Sequence, residues 1–177
     1  MPRQTCAPSI DIGQLPRTPL GALWVAISDF GLVAVDWAKP GDDFLARFAK
    51  RYAHPGYSNP ETTSQVINEL HEYLEGERRV FTIPIDWSVL RPFQQKVLQL
   101  TFSIPFGETR TYGELAATLG NPKAARAVGR AQATNPMPLV IPCHRVIGSD
   151  GKLHGYGGGE GLATKEWLLR MEGAILA

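Results

Sequence analysis

The sequence predicts an α+β chain in two parts, a small mixed strand-and-helix half followed by a mainly helical half. Three observations carry that expectation. Residues 21–28 and 32–37 are two nearly continuous apolar runs separated by Asp29-Phe30-Gly31, a turn signal, so they read as a hairpin. Beyond residue 86 the apolar residues fall mostly at helical spacing. Within that second half, two short helical patterns meet at Gly120-Asn121-Pro122, a break of the length and composition used by helix-turn-helix units.

Taken in order, residues 1–19 are proline-rich with little periodicity and read as an irregular arm. After the hairpin, Phe44, Leu45, Phe48 and Ala49 mark a helix over 42–52, broken at His54-Pro55-Gly56. Val66, Ile67, Leu70 and Leu74 mark a second over 61–75, with Gly76 where a helix-terminating glycine belongs. Residues 80–85 read as an edge strand, because Pro84 cannot donate to a ladder. The division expected is a first domain over 1–85, a linker over 86–92 and a second domain over 93–177. In that second domain a helix runs from Phe93 to before Pro105. Thr111 caps the next, with Glu114 completing a capping box. Pro122 opens a helix to Ala133 at its first position. Residues 146–153 read as a hairpin turning at Ser149-Asp150-Gly151, and a last helix spans 162–172.

Composition narrows the functional classes. The 177 residues are 44% hydrophobic and 20% charged, which fits a folded globular chain rather than a disordered one. The net charge of +1 gives no global field for a polyanion. The charge is nevertheless unevenly placed. Between Leu115 and Ser149 the chain carries Lys123, Arg126, Arg130 and Arg145 and no acidic residue, and the first three recur at helical spacing on one face. Cys6 and Cys143 are too far apart in sequence to imply a disulfide framework or a metal site, and His54 and His71 have no accompanying ligands, so no metal or cofactor is expected. With no targeting segment or membrane span in the sequence, the expected setting is a reducing cytoplasm.

The chemically pointed stretch is Leu139-Val140-Ile141-Pro142-Cys143-His144-Arg145-Val146. An apolar, strand-like run ends at a proline and delivers a thiol beside an acid/base residue and a cation. Positive charge and a histidine partner favour the thiolate, the nucleophilic form. Neighbours on a strand point to opposite faces. A turn at Pro142 and a bridging water are therefore needed for the two side chains to cooperate. Glu172, at the end of the last helix, is placed to orient His144, giving a Cys-His-carboxylate relay. The run Tyr156-Gly157-Gly158-Gly159 lacks the Lys-Ser/Thr ending of a phosphate loop but lets backbone approach a flat ligand. On these residues alone, a cysteine hydrolase and a helix-turn-helix regulator without chemistry both remain open.

Pro142-Cys143-His144-Arg145-Val146 resembles the acceptor motif of the O6-alkylguanine-DNA alkyltransferases. The likeness extends in order through Pro105-Phe106-Gly107-Glu108-Thr109, Thr111–Ala116, Asn121–Gly129, Asn135-Pro136 and Lys165–Leu169. It implies a ribonuclease H-like first domain and a winged-helix-like second one. It also implies single-turnover transfer of an alkyl group from O6 of guanine, and of O4-alkylthymine as well, to Cys143. The resemblance assigns His144 as a base acting through water, Glu172 as its polarising partner, Tyr112 to the flipped nucleotide, Asn135 to bracing the turn, and Arg126 to the gap left in the duplex. Gln94, Gly113, Asn121, Lys123, Arg130 and Ser149 are implied to touch DNA, and Pro138, Val146, Tyr156, Gly157 and Gly158 to line the base pocket. The implied partner is double-stranded DNA carrying the lesion, bound by a monomer or a cooperative array, with no membrane. Gly157 replaces a serine of some relatives, the following loop is about two residues longer, and Arg130 stands where a glycine is common. A further rival, the alkyltransferase-like lesion binders, carry tryptophan where this chain has Cys143.

Overall fold

The computed structural model describes residues 9–38, 43–52 and 56–175; Cys6 and His54 lie outside them. Its first half is a four-stranded sheet of β1 (Ile10–Leu15), β2 (Leu23–Ser28), β3 (Gly31–Trp37) and β4 (Gly56–Ser58), in the order β3-β2-β1-β4. The first three strands form an antiparallel meander, and β4 lies parallel to β1. The expected hairpin is β2-β3. Strand β1 corrects the reading of residues 1–19 as an irregular arm. Its sequence, Ile-Asp-Ile-Gly-Gln-Leu, alternates, and Ile10, Ile12 and Leu15 are buried. The surrounding prolines masked a short pattern that pairing with β2 completes.

Helix α1 (Phe44–Tyr52) covers one face of the sheet and α2 (Pro60–Leu74) the other. Trp24 stacks on Phe44, with ring centroids 5.1 Å apart, and the same face buries Ile10, Ile12, Ala26 and Phe48. Leu23, Val25 and Val35 face Val66, Leu70 and Tyr73 of α2. Burial on both faces explains why β2 and β3 read as unbroken apolar runs rather than alternating ones. Gly13 admits α2 against β1, because a Cβ there would lie 2.3 Å from the Thr63 hydroxyl. Helix α2 ends as expected at Gly76, whose φ of 78° permits the bonds Gly76 N to Tyr73 O and Glu77 N to Glu72 O that close a helix in the left-handed region.

Residues 80–85 are not an edge strand. They run as irregular chain beside β3, joined by one isolated bridge between Leu32 and Ile85, with Leu32 N donating to Pro84 O at 2.8 Å. The proline that marked an edge also stops a ladder from extending. Residues 86–92 form a packed connection: Asp86 caps a 3-10 turn, Trp87–Val89, and Leu90 is buried.

Four helices follow: α3 (Pro92–Phe102), α4 (Tyr112–Thr118), α5 (Ala125–Ala133) and α6 (Leu162–Met171). The Thr111–Glu114 capping box opens α4, both of its bonds being present. The stretch after Pro122 begins as a 3-10 turn, Pro122–Ala124, before α5, so Lys123 precedes the α-helix proper. Val97, Leu115, Ala116, Val128 and Ala131 pack the helix pair onto α3. The expected hairpin over 146–153 is absent. Val146–Ile147 (β6) instead pairs in parallel with Arg110–Thr111 (β5), and the following residues make a turn closed by Gly148 N to Lys152 O. The two halves share one core, in which Leu32, Val35, Trp37, Leu70 and Tyr73 meet Leu98, Met137, Leu139, Ile141 and Leu168. Among the described residues no helix is long and apolar enough to cross a membrane.

Candidate active site

The segment expected to be strand-like, 139–141, is a buried turn. Ile141 N bonds Met137 O, and Leu139 sits at φ 72°, a conformation costing a β-carbon residue about 1–3 kcal/mol that its complete burial sustains. Pro142, at φ −79° and ψ 65°, makes an inverse γ-turn closed by Cys143 N to Ile141 O at 2.8 Å. Cys143, His144 and Arg145 then form one 3-10 turn. Proline thus turns the chain before the cysteine, and the neighbours are separated by a helical rather than a strand rotation. Asn135 fixes this turn from within: its Nδ2 donates to Ile141 O at 2.9 Å and its Oδ1 accepts from Met137 N at 3.0 Å.

His144 is fully buried, and its Nε2 lies 2.9 Å from Glu172 Oε1. Glu172, the C-terminal cap of α6, also accepts from Arg145 through Nε at 2.9 Å and Nη2 at 2.8 Å. Gly107 N and the Tyr73 hydroxyl are further donors to it. Burial pushes the Glu172 carboxyl up, but the hydrogen bonds and charges of His144 and Arg145 prevail and hold its pKa at about 2. A carboxylate so fixed must receive a proton from Nε2, which assigns the tautomer: His144 carries hydrogen on Nε2, and Nδ1 is left as an acceptor. Nδ1 is buried without a protein partner.

The thiol departs from the sequence expectation. Burial pushes Cys143 above its ordinary value, and the opposing contributions of the Asn135 side chain and Lys165 do not overcome it. Burial likewise lowers His144, despite its bond to Glu172. At neutral pH the pair rests as thiol and neutral imidazole, a nucleophile still holding its proton beside a base free to take it. Lys165 carried no functional expectation. It is fully buried on α6, donates to Val146 O at 2.7 Å and His154 O at 2.9 Å, and lies 5.9 Å from the Tyr112 ring centroid. Burial brings its pKa down to about 8, against the pull of Cys143. An apolar helix pattern around a lysine gives no sign that the lysine points inward.

Cys143 lies where two cavities meet. The larger, about 840 Å³, opens between α5 and the 148–157 loop and is lined by Tyr112, Gly113, Arg126, Gly129, Ser149, Tyr156 and Gly157. Its volume is within the roughly 300–1,000 Å³ usual for small-ligand sites. The smaller, about 460 Å³, lies toward the first half and includes Trp37, Asn135, Pro138, Tyr156 and Gly158. Gly158 is required there, since a Cβ would come within 2.4 Å of the Trp37 ring; at Gly157 it would lie 3.3 Å from Ala133 O, which crowds any serine.

The expected residues separate accordingly. Cys143, Tyr112, Arg126, Gly113, Ser149, Tyr156 and Gly157 surround one opening. Asn121, Lys123 and Arg130 are exposed on the helix-turn-helix outside it. Gln94 lies on α3 and bonds Thr134. Val146 is corrected as a pocket residue: its side chain packs wholly within the α3-α4-α5 cluster, because β5 pairing turns it inward. His71 is exposed in the last turn of α2.

Residues 92–174 match the DNA-binding domain of the 6-O-methylguanine DNA methyltransferases, and residues 14–87 match the ribonuclease-like domain of the same enzymes. The chain belongs to the O6-methylguanine DNA methyltransferase family. It is 43% identical over 162 residues to the methylated-DNA–protein-cysteine methyltransferase of Salmonella typhimurium, covering 90% of this chain and 94% of that one. It is 37% identical to the constitutive enzyme of Bacillus subtilis, covering 88% and 92%. Among solved structures, Mycobacterium tuberculosis OGT in complex with DNA superposes with a TM-score of 0.77 at 36% identity, over 93% of each chain.

Proposed function

We propose that the protein repairs alkylated DNA by direct reversal, moving the alkyl group of O6-alkylguanine, and of O4-alkylthymine, irreversibly onto Cys143. The observation that carries this reading is a sulfur at the meeting point of a base-sized cavity and a buried His144–Glu172 relay, beneath an exposed basic helix. The family relationship supports it, and the family's name supplies the substrate.

The chemistry follows from the resting protonation states. As the alkylated base enters the cavity, the Cys143 proton passes through a bridging water to Nδ1 of His144. Glu172 stabilises the imidazolium through Nε2. The sulfur lone pair forms the S–C bond in line as the C–O6 bond breaks, and its electrons go to the purine. The proton lost by the thiol ends on guanine, delivered at N3 by Tyr112, which is reprotonated. The thioether has no hydrolytic exit, so one molecule acts once. Extruding the base costs a few kcal/mol, and Arg126, exposed at the cavity rim, fills the gap in the stack. Lys123, Arg130, Asn121, Gly113 and Ser149 supply contacts to the phosphates. Small residues along α5 let it approach the minor groove, where readout is poor in sequence information and suits damage in any context. A thiol needed in reduced form suits the cytoplasm.

A regulator without chemistry leaves the relay unexplained, and a hydrolase would turn over. Intact mass before and after incubation with a methylated duplex decides between them. The expected result is a gain of one methyl group on the peptide containing Cys143. Multiple turnover, or no gain with a competent duplex, overturns the proposal.

A further inference from the structure

We propose that Tyr73, contributed by α2 of the ribonuclease-like half, is a positioning residue of the acceptor site, tying the Glu172 carboxylate and the His144 Nε2 proton together. The proposal rests on the reading of His144 as the base for Cys143.

Tyr73 is fully buried, with its ring packed 5.1 Å from Phe81 and 6.3 Å from Phe106. Packing alone would be met by phenylalanine, and a buried hydroxyl is costly unless it is bonded. This one donates to Glu172 Oε1 and lies 3.2 Å from His144 Nε2. Since Nε2 carries hydrogen, the Tyr73 oxygen is its second acceptor beside Glu172 Oε1. Three groups from three elements thus close a ring of short contacts: Tyr73 from α2, His144 from the 3-10 turn and Glu172 from the end of α6.

The chemical effect concerns how strongly the carboxylate holds a proton on His144. Oε1 already receives Arg145 Nη2, and Oε2 receives Arg145 Nε and Gly107 N. The Tyr73 hydroxyl takes a further share of the charge on Oε1, so the imidazole stays neutral and ready to act as a base. Besides Arg145, the titratable and charged groups acting on this ring are Lys165, on His144, and Tyr156, beside Tyr73 and Glu172. Removing the hydroxyl leaves them in place and frees Oε1 to stabilise imidazolium. His144 should then protonate at higher pH.

Tyr73→Phe keeps the ring and removes the bond. Single-turnover transfer to Cys143 would be followed from pH 5 to 9 with a methylated duplex, and the His144 ring would be titrated by ¹⁵N NMR. The acid limb of the rate profile and the His144 midpoint should both move upward, by about one pH unit. Transfer at the acid end should fall about tenfold, with little change above pH 8. A merely structural role would lower rates evenly at all pH values; that result, or a profile and midpoint coincident with wild type, overturns the proposal. His144→Asn serves as the reference. If it transfers at the wild-type rate, the relay itself fails; if it is slow while Tyr73→Phe shifts nothing, only the tyrosine's role fails. Should Tyr73→Phe not fold, the unaltered protein still decides. Its His144 should show one neutral tautomer with hydrogen on Nε2 and cross-relaxation to the Tyr73 ring, and hydrogen on Nδ1 would overturn the inference.

Discussion

Glu172 receives hydrogen bonds from Tyr73, Gly107, His144 and twice from Arg145, whereas the guanidinium of Arg126, which lines the larger cavity with Cys143, donates to no group among the described residues. The buried relay and the exposed basic face of α5 are both polar, and both bear on Cys143, yet they are built in opposite ways. A charge removed from water must be bonded on every side or it unfolds the protein, so the relay has its partners inside the chain. A charge meant for another molecule must stay unbonded, so Arg126, Arg130 and Lys123 remain in solvent with no side-chain partner among the described residues. Loss of a relay group should damage folding and chemistry together, while loss of a basic-face residue should damage only encounters with DNA.

The largest test of that contrast removes the sulfur. Cys143→Ala should abolish alkyl transfer in an intact-mass assay while leaving binding to a methylated duplex within a few-fold of wild type; any residual methyl gain would reveal another acceptor. Next, Glu172→Gln should destabilise the fold by about 3–5 kcal/mol in denaturant titration, because it leaves the buried Arg145 charge without its counterion. The same pairing predicts the pH response. The Glu172 carboxyl is depressed from 4.5 to about 2 in the fold, so its stabilisation is fully present above pH 4.5 and is lost as pH falls toward 2. At 1.36 kcal/mol per unit this amounts to on the order of 3 kcal/mol, and a Glu172→Gln protein should lack that part of the acid transition.

On the basic face, Arg126→Ala should slow repair of duplex substrate by about tenfold or more, since flipping costs a few kcal/mol, yet barely change reaction with free O6-benzylguanine. Equal losses would remove its role in extrusion. Methylated protein should melt earlier than unmodified protein, by about 1–3 kcal/mol of stability, because the added carbon enters a packed turn. An unchanged transition would mean that the cavities absorb it. The smallest effect belongs to Lys123→Ala or Arg130→Ala. Each should weaken binding to any duplex alike and reduce the salt slope by about one, measured by fluorescence anisotropy. A change confined to one sequence would favour base readout.

Legibility in the sequence followed the range of the interactions. The capping box at Thr111, the closing glycine at Gly76 and the Asp29–Gly31 turn were readable because each is decided within a few residues. Strand β1 was not, because its pairing with β2 joins residues 8 to 18 positions apart, and 146–153 failed because β6 pairs with β5 across two intervening helices. Around Cys143, adjacency named the cysteine and histidine, and a carboxylate at the end of the last helix pointed to Glu172. Tyr73 and Lys165 sit at unremarkable points in helical patterns, and nothing local distinguishes an inward polar group from an outward one.

The sequence by itself determined the family, the adjacency of Cys143 and His144, and the basic stripe of Lys123, Arg126 and Arg130, since motifs and charges are properties of residue order. Only the tertiary structure decided that the thiol rests protonated, that His144 bears its hydrogen on Nε2, and that a tyrosine from the first half joins the relay. Protonation depends on desolvation and on partners brought from 28 and 71 residues away, and those arise only when the chain closes on itself.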